Sequence, residues 1–190
     1  MGTRVIIRKN GITYLGGDVH SDVKHENLNQ YNTGVQIISP ELIIAKMKDS
    51  KVLNLLDIYT EWFKLNENEK MTKELVLKNI VNPLYLEAKK RNLIDNDTQM
   101  MDASFYVICK DVTYQVLSTF QIIEVHDYAC SSYYEEMIIY PYLYAHDQIE
   151  NPKDIIHYMM KSLYEHISYI QESYFLFNNQ DMEFHLYGGF

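Results

Sequence analysis

The chain has 190 residues, 47% of them apolar, and a formal net charge of −9. This size and apolar content are sufficient for one domain with a full core, so we predict a single domain over residues 1–190. The acidic balance argues against a nucleic-acid partner, since general nucleic-acid binders carry a basic excess. No stretch of about 18 apolar residues is present, so we expect no membrane partner either.

The cysteines and histidines do not indicate a metal site. Cys109 and Cys130 form neither a disulfide framework nor a metal-ligand spacing. The seven histidines are scattered along the chain, without the close pairs of a zinc motif. We therefore predict no metal and no other cofactor. Arg4, Arg8 and Lys9 interrupt the apolar "VII" near the N-terminus, unlike a signal peptide, which favours a cytoplasmic location.

The first third of the chain is predicted to form two hairpins. The strands "TRVIIR" and "ITYLGGD" flank "KNG", where Asn10-Gly11 suits the positive φ angles of a tight turn. The polar residues 20–32 are predicted to be an exposed loop. The segments "GVQIIS" and "ELIIAKM" then predict a second hairpin around Pro40, because their β-branched residues favour buried strands.

Helices and strands alternate in blocks after that. Apolar residues at spacings of three and four predict a helix over 52–65, and Thr72 begins a second, which Pro83 should bend. The loop "NLIDNDTQMMDA" leads to the strands "SFYVIC", "TYQVLSTF" and "QIIEV". A third helix is predicted over 133–146, and a fourth begins where Asn151 suits the N-cap. The segments "YFLF" and "MEFHLY" close the chain as strands.

This order of elements predicts the fold class. Helices that arrive in pairs between blocks of mostly antiparallel strands do not fit a doubly wound sheet. Two sheets stacked face to face, with a helix pair on each outer face, would bury every apolar stripe. We therefore predict an α+β fold, a four-layer α-β-β-α sandwich of two mainly antiparallel sheets between two helix pairs.

The opening "RKNG…GGD" carries a resemblance to a known family. Arg8, Asn10, Gly11, Gly17 and Asp18 match the first turn and the second strand end of the proteasome β-subunit family. The chain resembles most the bacterial ring peptidase that works with an unfolding ATPase. The resemblance implies an N-terminal nucleophile hydrolase fold, a homo-oligomer in the form of a ring, and an ATPase partner.

The resemblance also implies an active site. In that family an N-terminal threonine attacks the substrate carbonyl, and its own α-amine is the base, since such an amine titrates near neutral pH. A lysine on the third strand helps to activate the hydroxyl, and a backbone amide in a glycine-rich turn stabilises the oxyanion. An aspartate and a serine support the pair. The matching candidates here are Thr3, Asp18 and Ser131.

Thr3 does not fit the nucleophile position well. Matching on "RKNG" places Gly2 over the first residue of the family and Thr3 over the second. A shift by one residue would turn every side chain of the strand to its other face. While Met1 and Gly2 are attached, the nitrogen of Thr3 is a non-basic amide, so this route to catalysis is closed.

Other positions depart from the family pattern as well. Gly34 stands near the expected lysine, and "AKMKDSKV" has no glycine where the oxyanion turn should follow the fourth strand; Lys46 and Lys48 would charge or crowd it. The Gly-Ser-Gly turn of the family is replaced by "CSS", which keeps Ser131 and adds Ser132. Asp18 is the candidate that matches without change.

Structural roles compete with the catalytic ones. Thr3 suits an ordinary strand residue, Asp18 a strand-end acceptor of backbone donors, and Ser131 with Ser132 a helix N-cap. Cys130 suits a small buried hydrophobe. Three hypotheses therefore stand. The first is a catalytically silent proteasome-like subunit with an assembly or binding role. The second is a threonine peptidase or amidohydrolase activated by exposing Thr3. The third is an acidic, Tyr-rich binding module unrelated to the family.

Overall fold

The computed structural model describes residues 3–19, 33–47, 50–63, 70–131, 136–137, 140–141, 151–167 and 173–188. The chain divides into two compact units, unit 1 (Met1–Val35 and His126–Phe190) and unit 2 (Gln36–Val125). The strands are β1 (Arg4–Lys9), β2 (Ile12–Asp18), β3 (Val35–Ser39), β4 (Leu42–Lys46), β5 (Phe105–Cys109), β6 (Thr113–Val116), β7 (Ile122–Glu124), β8 (Tyr128–Cys130), β9 (Tyr174–Asn178) and β10 (Phe184–Tyr187). The helices are α1 (Asn54–Ile58), α2 (Lys73–Val76), α3 (Asn82–Lys90) and α4 (Pro152–His166), with a 3₁₀ turn (Thr60–Phe63) and a π-helical stretch (Leu77–Val81).

The sheet of unit 1 is built around the predicted first hairpin. Its strand order is β10-β9-β2-β1-β8, and every pairing is antiparallel. In the hairpin, Arg4 lies opposite Gly17 and Lys9 opposite Ile12. Asn10 and Gly11 have φ values of 53° and 79°, which are the positive angles that the predicted turn requires.

Helix α4 covers one face of this sheet. Its side of the core contains Val5, Ile7, Cys130, Ile155, Ile156, Met159, Met160, Leu163, Tyr174 and Leu176. Asn151 caps the helix as predicted, since its side chain accepts a hydrogen bond of 3.1 Å from the amide of Lys153. Gly16 permits the close approach of strand and helix, because a Cβ atom there would overlap Cγ2 of Ile156.

The sheet of unit 2 has the strand order β3-β4-β5-β6-β7. Helices α1 to α3 pack on it through a core that includes Leu42, Ile44, Leu56, Val76, Ile80, Leu84, Phe105 and Val107. Thr72 is the N-cap of α2 and accepts a hydrogen bond of 3.2 Å from the amide of Leu75. The π-helical stretch ends just before Pro83, a residue that cannot donate to the preceding turn.

The predicted α+β class with two mainly antiparallel sheets is confirmed, with differences in detail. The helix predicted over 52–65 is the shorter α1 followed by a 3₁₀ turn, and a π-helical stretch lies just before Pro83, where a bend is predicted. The predicted loop 20–32 lies outside the described residues, as does most of the predicted helix over 133–146. Within the described ranges, no helix is long and apolar enough to cross a membrane.

The close contact between β2 and α4 leads to a prediction about Gly16. We expect Gly16→Ala to lower the free energy of unfolding by about 1–3 kcal/mol, since the added methyl group overpacks a filled site. Urea denaturation would measure this. The same substitution in an Ile156→Ala background should cost clearly less, because the side-chain atom that the added methyl group would meet is gone. An equal cost in both backgrounds would contradict this explanation.

Candidate functional site

The three candidate residues from the sequence lie at one end of the β1–β2–β8 strands. Thr3 precedes β1, Asp18 ends β2, and Ser131 follows β8. The register brings them together, because β1 pairs with β2 on one side and with β8 on the other. Asp18 and Ser131 therefore both make hydrogen bonds to the first residues of the described chain.

Thr3 and Asp18 are joined through the backbone of Thr3. The Thr3 amide donates a hydrogen bond of 2.6 Å to Oδ1 of Asp18. Thr3 has no exposed surface, and Asp18 is 8% exposed. The nitrogen that the family would use as a base is thus an amide donor held on a buried carboxylate.

Arg4 completes this cluster, and the sequence analysis missed its role. Its Nη1 atom donates to Oδ1 of Asp18 at 3.2 Å, to the carbonyl oxygen of Thr3 at 2.7 Å and to that of Asp18 at 3.2 Å. Its Nη2 atom donates to the carbonyl oxygen of Thr33 at 2.8 Å. The guanidinium carbon lies 5.2 Å from the centre of the Phe175 ring. The sequence contains one signal of this role, since Arg4 is a charged residue inside a strand that is otherwise apolar at its centre.

Gly17 makes room for the Arg4 side chain. A Cβ atom on Gly17 would lie 2.7 Å from Nη1 of Arg4, and 2.8 Å both from Cδ of Arg4 and from Cε1 of Phe175. Real Cβ contacts are essentially never this short. The second glycine of "GGD" is therefore required by the arginine that lies opposite it in the register.

Burial controls the electrostatics of Asp18. Desolvation raises the pKa of the Asp18 carboxyl above its ordinary value, while the Arg4 charge and the Thr3 amide act to lower that pKa. A buried carboxylate is tolerated where a cation and hydrogen-bond donors compensate its lost hydration. Arg4 and Thr3 supply that compensation here.

Ser131 contacts the backbone of β1. Its hydroxyl oxygen accepts a hydrogen bond of 3.0 Å from the amide of Arg4. Cys130, directly before it, is buried in the core beneath α4, in agreement with its predicted role as a small hydrophobe. Ser132 lies outside the described residues, and so does the helix start that these serines were predicted to cap.

The positions expected to hold the lysine and the oxyanion turn have other structures. Gly34 adopts a φ of 66°, a left-handed conformation that favours glycine. Lys46 at the end of β4 is buried and paired with the carboxylate of Asp57 on α1. The next amide, that of Met47, donates to the carbonyl oxygen of Ser104 at 3.0 Å. Lys48 lies outside the described residues.

Metal clusters and the Cys109 thiol are two further features to compare with the sequence expectations. The described ranges hold no group of three or more His, Cys, Asp or Glu side chains placed to bind a metal. Burial raises the pKa of the Cys109 thiol to about 12, which makes this thiol a poor nucleophile at neutral pH.

Comparison with known proteins identifies the fold as that of proteasome-type N-terminal nucleophile peptidases. No protein-family model and no curated protein matches the sequence. Among solved structures, Thiobacillus denitrificans BPH in complex with epoxomicin is similar with a TM-score of 0.69 and 11% identity, over 93% of this chain and 97% of that chain. HslV from Trypanosoma brucei is similar with a TM-score of 0.59 and 14% identity, over 93% and 98% of the two chains. At these identities the similarity defines the fold alone, and it confirms the predicted proteasome-like α+β sandwich.

The raised pKa of Asp18 predicts how stability depends on pH. Between the ordinary carboxyl pKa of 3.8 and the raised folded value, the folded chain holds more protons than the unfolded chain. The contribution of Asp18 to the free energy of unfolding therefore falls as pH rises through this window and is constant above it.

Urea denaturation from pH 3 upwards should test this against Asp18→Asn, which cannot titrate. We expect the free energy of unfolding of the wild type, minus that of the variant, to decrease with rising pH. An increase would mean that pairing with Arg4 outweighs desolvation.

Proposed function

We propose that this chain is a divergent proteasome-like subunit that is catalytically silent and acts through assembly or binding. The observation that carries the proposal is the contact between the Thr3 amide and the Asp18 carboxylate. The family mechanism needs a titrating α-amine at the nucleophile, whereas a peptide nitrogen has no basic lone pair to accept a proton. Oδ1 of Asp18 accepts hydrogen bonds both from that amide and from Nη1 of Arg4.

The permanent charge of Arg4 also supports a silent site. The guanidinium of Arg4 stays protonated, because an arginine side chain does not lose its proton in proteins. It can stabilise Asp18 by charge, but it cannot accept a proton from a threonine hydroxyl. The surroundings of a lysine could lower its pKa toward neutral pH. Near the position where the family has that lysine, however, this chain has Gly34.

The segment after β4 supports the same conclusion. Lys46 is engaged with Asp57, and the Met47 amide is engaged with Ser104. An oxyanion hole requires an amide that points at the developing charge rather than at another carbonyl. The Met47 amide, which donates to Ser104, does not meet this requirement.

An assembly role follows from the fold and from exposed apolar side chains. We propose one proteasome-like domain over residues 1–190 that forms a homo-oligomer, with a ring as the arrangement that the resemblance implies and an ATPase as a further partner. Ile58, Leu86 and Met137 are each at least 60% exposed, although isolated exposed apolar residues also occur in monomers. We also propose a cytoplasmic location.

A threonine peptidase or amidohydrolase is the second candidate. It is favoured by one observation, the 2.6 Å between Asp18 Oδ1 and the nitrogen that would become the α-amine after cleavage of Gly2–Thr3. The third hypothesis, a binding module unrelated to the family, has less support because the fold is proteasome-like.

The silent-subunit proposal predicts an intact N-terminus and no labelling. We expect intact mass spectrometry to find Met1 or Gly2 at the N-terminus, and a threonine-directed acylating probe to leave the protein unmodified. A variant that begins at Thr3, released from a cleavable fusion, should also stay unlabelled. Thr3→Ala and the buried Thr13→Ala are the matched controls. Labelling of the natural chain that Thr3→Ala abolishes and Thr13→Ala does not would support the peptidase candidate instead.

The assembly role predicts a large particle. Size-exclusion chromatography with light scattering should give a mass of a hexamer or more, against 22.5 kDa for one chain. Charged substitutions at the exposed Ile58 and Leu86 should leave the melting temperature within a few degrees, as surface changes generally do. A monomer at micromolar concentration would contradict the assembly role and leave a binding role without oligomerisation.

A further inference from the structure

We propose that the ends of β1 and β2 form a binding site for a guanidinium group, which the chain fills with its own Arg4, and that Arg4 is thereby the positioning residue for Thr3. This role of Arg4 belongs to the proposed function and rests on it only for the absence of catalysis at the site. The site itself is defined by contacts within unit 1.

The acceptors around Arg4 engage both terminal nitrogens of its guanidinium. They are one carboxylate oxygen, Oδ1 of Asp18, and three backbone carbonyl oxygens, those of Thr3, Asp18 and Thr33, at 2.7–3.2 Å. The two terminal nitrogens divide these acceptors, with Thr33 on Nη2 and the others on Nη1. A guanidinium donates in several directions within one plane, whereas a lysine ammonium acts as a single point charge.

The walls of the site match the same group. The Phe175 ring lies at 5.2 Å from the guanidinium carbon, which is a distance suited to a cation–π contact. Gly17 supplies the space, because its missing Cβ would overlap both Arg4 and Phe175. The Arg4 side chain is 9% exposed, so the group is held out of water.

Occupation of the site fixes Thr3 from two sides. Nη1 of Arg4 holds the Thr3 carbonyl, and the Thr3 amide is held by the carboxylate oxygen that Arg4 also contacts. The hydroxyl of Ser131 in turn holds the Arg4 amide. Without the Arg4 side chain, the buried carboxylate of Asp18 would lose its ion pair, and the Thr3 carbonyl would lose a donor.

The test removes the Arg4 side chain by substitution and then supplies a guanidinium group from solution. We expect Arg4→Ala to lower the melting temperature by roughly 6 to 20 °C, as the loss of one partner from a buried ion pair does. Methylguanidinium, far below denaturing concentrations, should raise the melting temperature of this variant saturably, and methylammonium or sodium chloride should not. Arg91→Ala is the matched control: Arg91 also contacts a carboxylate, that of Glu87 at 2.7 Å, but is 46% exposed, so its loss should cost less than about 4 °C.

Two further variants keep the proposal open to refutation. Arg4→Ala combined with Asp18→Asn should not respond to methylguanidinium, because the carboxylate of the site is gone. If Arg4→Ala fails to fold, Arg4→Lys retains the charge without the fork, and we expect the Thr3 amide to exchange hydrogen several-fold faster in it than in the wild type.

A wild-type melting temperature for Arg4→Ala, or rescue no better than by sodium chloride, would overturn the guanidinium site. Unchanged exchange at Thr3 in Arg4→Lys would overturn its positioning role. Neither result depends on whether the acylating probe labels the protein, so the inference and the proposed silence can fail separately.

Discussion

The buried carboxylate of Asp18 sets the conditions for the local structure around it. A carboxylate on a side chain that is 8% exposed needs donors to replace its lost hydration, and the described structure provides them from the Thr3 amide and the Arg4 guanidinium. The arginine can reach Asp18 because it lies opposite Gly17 in the β1–β2 register. That register is in turn fixed by the two-residue turn at the other end of the hairpin, so the ion pair depends on the turn.

In the proposed silent subunit, the atoms that stabilise the cluster are also atoms that cannot serve as the base of the family mechanism. A peptide nitrogen and a guanidinium are good donors, but neither can accept a proton as a general base near neutral pH. Fold and activity place separate demands on a sequence, so the sheets and α4 can persist while the site changes. The TM-score of 0.69 at 11% identity shows that two very different sequences can adopt this fold.

Much of the fold could be predicted from the sequence because its signals are local. Asn10-Gly11 predicts a turn, Asn151 and Thr72 predict helix starts, and the structure has all three. The three-residue β8 was missed as a strand, since it is too short to show an alternation. The role of Arg4 was missed for a different reason. Its acceptors come from residues 3, 18 and 33, and only the folded backbone brings their carbonyls to one point.

The two adjacent glycines of β2 serve opposite faces of one strand. Gly16 faces Ile156 of α4, while Gly17 faces Arg4 and Phe175, as the alternation of a strand requires. Each glycine is thus required by different neighbouring side chains, and the two steric requirements are independent of each other. Among relatives of this chain, a larger residue at the position of Gly17 should occur together with loss of the arginine at the position of Arg4, while the position of Gly16 should vary with that of Ile156. The pair Arg4 and Gly17 therefore offers a criterion for separating chains with this cluster from proteasome-like chains that retain a different cation.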